Sequence, residues 1–502
     1  MKKLLLMFLS LVLALTAVGC GEPSEDDPDF LSVQDLITMA KNNTAGGSGS
    51  DEIEVTGTPN FTVPTGGYDG SDVTITFYHT MGKNLSDVLK IYIEEFNKMY
   101  PNIHVVHEQV GGYDDVKSRI SMELTTGKGP SLAYCYPDHV AMYNLANAVA
   151  TLDNLIDSTE SDGNGGSLGL SKDQKADFIQ GYYNEGRQFG DGLMYSMPFS
   201  KSTEVLYYNK TFFDENGIEV PTHWFSESED DVTSLEAVCE QILAIDPLCI
   251  PLGYDSEANL FITMCEQLGS DYTTAVGDEK FLFNNDANKT FCKEFRRWFD
   301  LGYMTTQELL GSYTSNLFVS QDELNSYMSI GSSAGATHQR PAKIDGEYPF
   351  EVGIASIPQM NPENPKVISQ GPSICVFKKS NPQEVIASWL FVKFLTTDVN
   401  FQAEFSKASG YVPVLKSVLN NPEYDKWIDS ANGGNDIAAL SAKVCLEQEN
   451  AYYTSPAFSG SSKARDEVGL LLTKILSNST NTPNAMINKS FADAVNNCKF
   501  YS

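Results

Sequence analysis

Apolar and polar residues alternate with two different periods between residues 73 and 148. The segments 73–78 and 103–108 alternate every second residue and contain many β-branched side chains, which predicts strands. The segments 88–99 and 114–126 repeat apolar residues every three or four positions, which predicts amphipathic helices. Strands that alternate with helices across short turns predict a parallel sheet covered by helices on both faces, and therefore an α/β fold.

The same two patterns continue to the end of the chain. Further strands are predicted at 132–136, 204–208, 326–330, 352–357 and 374–377. Further helices are predicted at 140–148, 235–245, 260–268, 290–301, 384–395, 463–476 and 485–496. The roughly 430 residues that follow position 71 are enough for two lobes with a core each.

The first twenty residues have the pattern of a secretory signal that ends at a cysteine. Lys2 and Lys3 precede an apolar run from Leu4 to Leu15, which is shorter than the roughly 20 residues that a membrane-spanning helix needs. Small residues then lead to Cys20 in a pattern that resembles a lipobox, in which the cysteine thiol is acylated. Acyl chains at this position would form a stable membrane anchor. An ordinary signal peptide with an incidental cysteine is the alternative.

Residues 1–19 are therefore interpreted as a signal peptide and residues 20–71 as a flexible acidic linker. The stretch 21–29 is acidic and contains proline, and the stretch 42–51 is rich in small polar residues, so both bury little apolar surface. A short amphipathic helix around 30–37 is the alternative for part of this segment. Ordered structure is expected to begin near residue 72.

Charge and cysteine usage exclude some classes of partner and site. The formal net charge of −32 argues against nucleic acid as a partner, because phosphates could not be neutralised in bulk. It also keeps the protein soluble and away from anionic lipid. Eight cysteines follow Cys20 and none forms a CxxC pair, so zinc-ribbon and thioredoxin-type chemistry lack support. Disulfides and buried thiols both remain open.

Motifs for catalysis are weak. The segment 331–335 fits G-x-S-x-G, but the last histidine is His338, so the order Ser, acid, His of that hydrolase fold cannot be completed. His104 and His107 lie three apart in a predicted strand and point to opposite faces. No metalloprotease, P-loop or dinucleotide motif occurs, so no catalytic residue, metal or cofactor is predicted. A surface glycosidase or adhesin is the rival from another class, since 66 acidic residues could supply two catalytic carboxylates.

Several segments, in the same order, resemble the family 1 extracellular solute-binding proteins of ABC importers, which include maltose-binding and glycerol-3-phosphate-binding proteins. The matching segments are FYHTM at 77–81, EEFNKMYPNIHV at 94–105, GGYDD at 111–115, GKGP at 127–130, YSMPFSKSTEVLYYNKTFF at 195–213, PTHW at 221–224, IGSSAG at 330–335, VGIASIPQ at 352–359, ASWLFVKFLTT at 387–397 and GYVPV at 410–414. Each segment alone is weakly specific, but the ordered set extends over about residues 72 to 500.

The resemblance implies a two-lobe α/β fold of the periplasmic-binding-protein type II, with the ligand cleft between the lobes and three hinge crossings. The crossings are expected near Met197–Lys201, Ile357–Gln359 and Gly410–Val414, and each contains a proline, which suits a stiff connector. The implied lobes comprise residues 72–198 with 359–410, and residues 199–358 with 411–502. Ligand binding would favour a closed state that a transporter recognises.

Sugar-like ligands offer flat C–H faces and hydroxyl groups, so their sites combine aromatic platforms with fixed polar groups. The candidate ligand contacts are Tyr78, His79, Tyr113, Asp114, Asp138, Ser202, Thr203, Ser332, Ser333, Gly371, Tyr411 and Arg465. The first five lie at or just after the ends of predicted strands, at the edge where open parallel sheets bind ligands. The resemblance implies small hydroxyls at 202 and 203, a serine-rich turn at 332–333, a stacking tyrosine at 411 and a phosphate-binding arginine at 465, whose fork suits phosphate. Gly371 would permit close backbone approach.

Several of these candidates have a structural alternative. Tyr78 and His79 could be turn residues beside the core. Asp114 and Asp138 could be helix caps, and Arg465 could be a solvated surface arginine.

The sequence therefore predicts a substrate-binding lipoprotein that captures a sugar or short oligosaccharide as a monomer and delivers it to the permease subunits of an ABC importer. Its membrane contact would be the lipid anchor at Cys20 alone, on the extracellular or periplasmic side. Glycerol-3-phosphate or another sugar phosphate is the alternative ligand, favoured by FYHTM, GGYD, GYVPV and Arg465. Neutral carbohydrate ranks first because the similar segments extend across sugar binders generally.

Overall fold

A computed structural model describes residues 30–43, 55–322, 324–430, 436–480 and 483–501. The signal peptide and the acylation predicted at Cys20 lie outside the described residues. Within these ranges, no helix combines the length and the apolar composition that crossing a membrane requires.

Two five-stranded sheets organise the described chain, one in each lobe. The strands of the first sheet, in spatial order, are β2 (Ile103–Gln109), β1 (Val73–His79), β3 (Leu132–Cys135), β11 (Ser373–Val376) and β4 (Ser196–Pro198). Those of the second sheet are β7 (Met304–Thr306), β6 (Leu252–Tyr254), β8 (Met328–Ser332), β5 (Glu204–Asn209) and β9 (Val352–Ser356). A short ladder pairs β10 (Val367–Ile368) with β12 (Tyr452–Tyr453).

Each sheet is mixed, with one strand opposed to the others. In the first sheet β1, β2 and β3 are parallel, with Phe77 opposite both His107 and Leu132, whereas β11 is antiparallel to both its neighbours. In the second sheet β5 is antiparallel to β8 and β9. The parallel sheet predicted from the segments between 73 and 148 is confirmed for β1, β2 and β3, and the later strands β5 and β11 run opposite to their neighbours. Both strands follow a crossing from the other lobe, so no strand–helix–strand connection forces them to be parallel.

Helices surround the two sheets. In chain order the described helices are α1 (Val33–Asn42), α2 (Lys83–Met99), α3 (Tyr113–Leu124), α4 (Pro137–Leu145), α5 (Asp153–Ile156), α6 (Lys172–Asp177), α7 (Gln180–Glu185), α8 (Lys210–Asn216), α9 (Leu235–Ile245), α10 (Glu257–Leu268), α11 (Asp286–Asp300), α12 (Gln307–Leu310), α13 (Ser315–Phe318), α14 (Pro382–Thr397), α15 (Val399–Ser409), α16 (Pro422–Asp429), α17 (Ile437–Glu447), α18 (Ser461–Ser477) and α19 (Pro483–Tyr501). Two short 3₁₀ segments cover Ser333–Gln339 and Lys416–Asn420.

Local sequence explains where a typical helix begins and which face it buries. The side chain of Asn285 accepts a hydrogen bond from the backbone N–H of Asn288 and so caps α11. Phe291, Phe295 and Trp298 recur every three or four positions and are buried in the core. Burying each such side chain contributes roughly 2 kcal/mol or more, so packing rather than intrinsic propensity holds this helix.

The segment before β1 is folded where the structure describes it. Leu36 and Ala40 of α1 are fully buried, and α1 packs on α10 and α11 of the second lobe. Phe61 and Tyr68 join the same core from the stretch 55–72. The expectation of a flexible linker from 20 to 71, with order starting near 72, was therefore wrong for these residues. The short amphipathic helix considered as the alternative is present, because its apolar stripe finds a partner surface that composition does not reveal.

Eight cysteines of the described chain are free thiols in buried positions: Cys135, Cys239, Cys249, Cys265, Cys292, Cys375, Cys445 and Cys498. Of the two possibilities that the sequence left open, the structure has thiols packed as small apolar side chains.

Three segments lie side by side where the chain passes between the lobes. The segment 199–203 joins β4 to β5, and 357–372 joins β9 to β11. The backbone N–H of Ser202 donates to the carbonyl of Gln370 (3.0 Å), and that of Lys201 donates to the carbonyl of Val412 in the segment 410–414 (3.0 Å). The first segment is thus hydrogen-bonded to both of the other segments. The hinge positions expected at 197–201, 357–359 and 410–414 stay a prediction. The exact lobe boundaries, 72–198 with 359–410 and 199–358 with 411–502, stay a prediction.

Candidate functional site

A cavity of about 490 Å³ opens beside the crossings and is lined from both lobes. Four helix N-termini contribute to its wall, those of α3, α4, α10 and α18. The first N–H groups of a helix lack partners within the helix, so these ends present hydrogen-bond donors and partial positive charge. The second crossing adds Ser369 and Gln370. The cavity is therefore a polar cleft of the size that a small solute requires.

Tyrosines supply the aromatic part of the wall. Tyr113 begins α3 and Tyr136 directly precedes α4, and their ring centroids lie 4.7 Å apart. Tyr272 and Tyr313 line the cavity from the second lobe. Burial raises the pKa of Tyr113, and neighbouring tyrosines raise it further, so its phenol stays protonated.

A hydrogen-bonded chain of polar side chains forms the second-lobe side of the cavity. The Glu204 carboxylate at the start of β5 accepts from the Tyr254 hydroxyl (2.6 Å) and from Asn259 Nδ2 (2.7 Å). Arg465 Nη2 in turn donates to Asn259 Oδ1. Arg465 belongs to the second turn of α18, whose first turn adds the hydroxyl of Ser461. These contacts bring β5, β6, α10 and α18 together at one point.

Carboxylates outnumber permanent cations among the described residues that line the cavity. The carboxylates are those of Asp114, Asp138, Glu185, Glu204 and Asp255, and the cations are Lys117 and Arg465. Two of these carboxylates are already paired, because Lys117 Nζ lies 2.6 Å from Asp114 Oδ1 and Glu185 forms an ion pair with the buried Lys201. Burial raises the pKa of Asp255 and raises that of Glu204 to about 7. The wall therefore combines carboxylate and hydroxyl oxygens that accept hydrogen bonds with helix N-termini that donate them, and the raised pKa of Glu204 reduces its negative charge near neutral pH.

Five of the twelve residues predicted from sequence line this cavity: Tyr113, Asp114, Asp138, Ser332 and Arg465. The structure brings them together from α3, α4, β8 and α18, which are far apart in the chain. Asp114 is not the cap of α3, because Asp115 Oδ2 accepts from the Gly112 N–H there (2.7 Å). That these five contact ligand stays a prediction.

Tyr78 and His79 lie outside the cavity wall. The Tyr78 hydroxyl accepts from Arg119 Nη2 (2.8 Å), and the guanidinium covers the ring of Tyr78 at 4.3 Å. His79 is fully buried, with Nε2 2.9 Å from His107 Nδ1 and Nδ1 accepting from the Met81 N–H (3.1 Å). Both side chains thus satisfy neighbours within the first lobe, which fits the structural alternative.

Ser202 and Thr203 are buried in the first crossing and Ser333 is buried in the turn after β8, so none of the three lines the cavity. Ser202 exchanges backbone hydrogen bonds with Gln370, and the Thr203 N–H donates to Ser333 Oγ (3.1 Å). Their polar groups therefore tie the first crossing to the second crossing and to the turn after β8.

Gly371 and Tyr411 also lie behind the wall. Gly371 has φ +88°, and a Cβ there would lie 2.5 Å from the Ser200 carbonyl oxygen. The glycine is thus required by contact between two crossings rather than by ligand approach. Tyr411 adjoins Tyr113, whose pKa it helps to raise, and so supports the tyrosines that face the cavity.

Sequence reasoning missed several residues of the wall, above all Tyr136, Glu204 and Asn259. Two of them carried a usable signal. Glu204 is an acidic residue that opens an apolar strand, and Asn259 is a polar residue in an otherwise apolar stretch of α10. A buried polar residue in an apolar element needs a partner, but the identity of that partner depends on tertiary structure.

Comparison with known proteins gives a consistent result. Residues 92–432, more than half of the chain, match the family model described as bacterial extracellular solute-binding protein. The sn-glycerol-3-phosphate-binding periplasmic protein UgpB of Salmonella typhimurium is 24% identical over 376 residues, which cover 73% of this chain and 79% of that protein. The corresponding protein of Escherichia coli is 23% identical over 376 residues, which again cover 73% of this chain and 79% of that protein.

Three solved structures share the fold at low sequence identity. The cyclic alpha-maltosyl-1,6-maltose binding protein from Arthrobacter globiformis has a TM-score of 0.64 at 19% identity, covering 85% of this chain and all of that one. The sugar-binding protein MalE from Xanthomonas citri has a TM-score of 0.65 at 16% identity, covering 85% and 98%. UgpB from Mycobacterium tuberculosis, solved with glycerophosphocholine, has a TM-score of 0.62 at 18% identity, covering 86% and 98%.

Proposed function

Because the chain belongs to the bacterial extracellular solute-binding protein family, we propose that it captures a carbohydrate in the cavity between its lobes and delivers it to an ABC importer. The ligand would be a neutral sugar or short oligosaccharide, and lobe closure around it would be the state that the permease recognises. Several relatives are sugar-binding proteins by name, and this supports the proposed ligand class.

The lining of the cavity carries this proposal. Tyrosine rings provide platforms for sugar C–H faces, and the surrounding carboxylate and hydroxyl oxygens accept hydrogen bonds from sugar hydroxyls. Such a wall matches a ligand that is rich in O–H donors and carries no negative charge.

A sugar phosphate is the second candidate, favoured by Arg465 on the cavity wall and by the glycerol-3-phosphate-binding relatives. Its phosphate would face the carboxyl groups of Asp138, Glu204 and Asp255, which have no lysine partner among the described ion pairs. At an effective dielectric constant near 20, two like unit charges about 7 Å apart repel by roughly 2.4 kcal/mol. Arg465 and the helix N-termini at the wall would have to offset this repulsion. The neutral ligand therefore ranks first.

Titration calorimetry separates the two candidates. We expect the mature chain to bind maltotriose or cyclic alpha-maltosyl-1,6-maltose with micromolar or tighter affinity. It should show no detectable binding of sn-glycerol 3-phosphate. Micromolar binding of sn-glycerol 3-phosphate that is lost in Arg465→Ala, but kept in Arg340→Ala outside the cavity, would reverse the ranking. If the chain binds neither of these two neutral oligosaccharides, the result contradicts the proposal of a neutral carbohydrate ligand.

The protein acts in this proposal as a binder, without catalysis, metal or cofactor. Incubation with the same oligosaccharides followed by chromatography of the products tests this point. Turnover above background would favour the surface glycosidase instead.

Attachment to the membrane through acylated Cys20 is a further part of the proposal, as is a monomeric state. Detergent phase partition of the expressed protein should place the wild type in the detergent phase and Cys20→Ala in the aqueous phase. Partition of both the wild type and Cys20→Ala into the aqueous phase would indicate an ordinary cleaved signal peptide without acylation.

A further inference from the structure

Glu204 is a buried carboxylate whose two oxygens are both committed to neighbouring side chains. The residue is 1% exposed, yet it touches the cavity at the start of β5. Oε2 accepts from the Tyr254 hydroxyl (2.6 Å), and Oε1 accepts from Asn259 Nδ2 (2.7 Å). Hydrogen bonds to an ionised acceptor are the strong ones, so Glu204 restrains both of these partners.

The amide of Asn259 is held in one orientation by opposite charges on its two sides. Its Nδ2 faces the Glu204 carboxylate, so its Oδ1 faces Arg465 and accepts from Nη2. A flipped amide would place oxygen against the carboxylate and NH₂ against the guanidinium, and both contacts would be repulsive. Asn259 is 4% exposed, which leaves water little access to relieve such a mismatch.

We propose that Glu204 is a positioning residue, which acts through Asn259 to hold the Arg465 guanidinium against the cavity wall. The remaining N–H groups of Arg465 are thereby presented to an oxygen of the bound solute in a fixed direction. The inference depends on the proposed function only in taking this cavity as the ligand site. Glu204 also touches the cavity, but the positioning effect passes through Asn259, to which its Oε1 is bonded.

Protonation of Glu204 should weaken the relay. The titratable and charged groups that face it are Tyr254 and Asp255 at the end of β6, Tyr453 of β12 and Arg465 of α18. Burial raises its pKa to about 7, while hydrogen bonds and Arg465 oppose this rise. A neutral carboxyl group is a weaker acceptor for Asn259, so Arg465 is expected to be better ordered at pH 8 than at pH 6.

Nuclear magnetic resonance of the ligand-free mature chain, labelled at arginine side chains, tests the relay. The Arg465 signal is assigned by its loss in Arg465→Lys, and the measured quantity is the rotation rate of the guanidinium about its Cζ–Nη bonds. We expect Glu204→Leu and Asn259→Ala to raise this rate roughly tenfold or more. Glu204→Gln, which keeps an acceptor for Asn259, should have an intermediate rate.

Asp138→Asn is the matched control, because it removes one carboxylate from the same cavity wall without touching Asn259. An equal rise in this control, or no rise in Glu204→Leu and Asn259→Ala, would overturn the proposal. If Glu204→Leu does not fold, the Asn259→Ala and pH arms still decide.

The pH arm compares wild type with Glu204→Gln. The wild-type rotation rate should increase from pH 8 to pH 6 with a midpoint near 7, and this response should be absent in the glutamine variant. An identical response in both proteins would also refute the relay. Since no ligand is present, failure of carbohydrate binding would leave these results unchanged, and the two proposals can fail independently.

Discussion

The ion pair of Lys201 with Glu185 is buried at the crossings, and breaking it should destabilise the protein strongly. The side chains are 0% and 3% exposed. Lys201 Nζ also donates to the Gly371 carbonyl oxygen and to Ser373 Oγ (both 3.0 Å), and Ser373 Oγ donates to Glu185 (2.7 Å). The pair therefore links α7, the first crossing and β11 through a network with few water contacts.

The expected magnitude follows from the charge that each substitution leaves behind. Lys201→Met removes the cation and leaves the Glu185 carboxylate buried, with Ser373 as its remaining partner. Removal of one partner from a buried pair costs about 3–5 kcal/mol, against about 0–1 kcal/mol for an exposed pair such as Lys83 with Asp87. The double variant Lys201→Met/Glu185→Leu leaves no unpaired charge and should recover all but about 1–2 kcal/mol.

Urea unfolding followed by tryptophan fluorescence measures these differences, with Lys83→Met as the exposed control. We expect a large drop in the unfolding midpoint for each buried single variant. The coupling free energy in the double-mutant cycle should be about 4 kcal/mol or more, because two single losses of about 3–5 kcal/mol each contrast with a double loss of only about 1–2 kcal/mol. Losses below about 1 kcal/mol in the single variants, or a double variant that loses the sum of both, would refute the reasoning.

Three further predictions concern backbone, packing and pH. Gly371→Ala should lower the free energy of unfolding by well over 1 kcal/mol, because φ is positive there and the new Cβ would clash with the backbone of Ser200. The matched control Gly127→Ala should lower it by only about 1 kcal/mol, because φ is also positive but no atom lies near the new Cβ. Leu36→Asp should cost about 3 kcal/mol or more and expose α1 to limited proteolysis, whereas Thr38→Asp on its exposed side should stay close to wild type. The pKa of His79 is lowered to about 4, chiefly by burial, so the unfolded chain binds the extra proton. Stability should therefore fall as pH drops from about 6.5 to 4, by up to about 3 kcal/mol at this site, and the slope should be smaller in His79→Gln.

The sequence predicted most of the elements that carry long periodic patterns. Strands β1, β2 and β5 and helices α9 and α10 lie within a few residues of the predicted bounds. Short strands were missed: β4, β6 and β7 have three residues each, which is too short for an alternation to stand out. Their assignment depends on the neighbouring strands that hydrogen-bond to them.

For the candidate site, the sequence predicted cavity-lining residues correctly where they directly follow a strand or lie at the start of a helix. Tyr113 and Asp138 could be placed because the carboxyl edges of parallel strands bind ligands, and Arg465 because its segment resembled a known family. Tyr78 and His79 satisfied the same edge rule, yet the structure turns both toward partners in the first lobe. A side chain at the edge of the sheet can contact either the cavity or neighbours within its own lobe, and the sequence does not show which contact forms.

The sequence by itself determined the class of the protein: the order of strands and helices, the acidic charge and the ordered segments shared with solute-binding proteins. Only the tertiary structure decided which side chains share the cavity, how Glu204 reaches Arg465 through Asn259, and that α1 packs on the second lobe. The physical reason is the sequence separation of the interacting residues. Periodicity along the chain shows which face of each helix or strand is apolar. Hydrogen bonds and buried charge pairs join residues that lie up to hundreds of positions apart, and their geometry exists only after the lobes have formed.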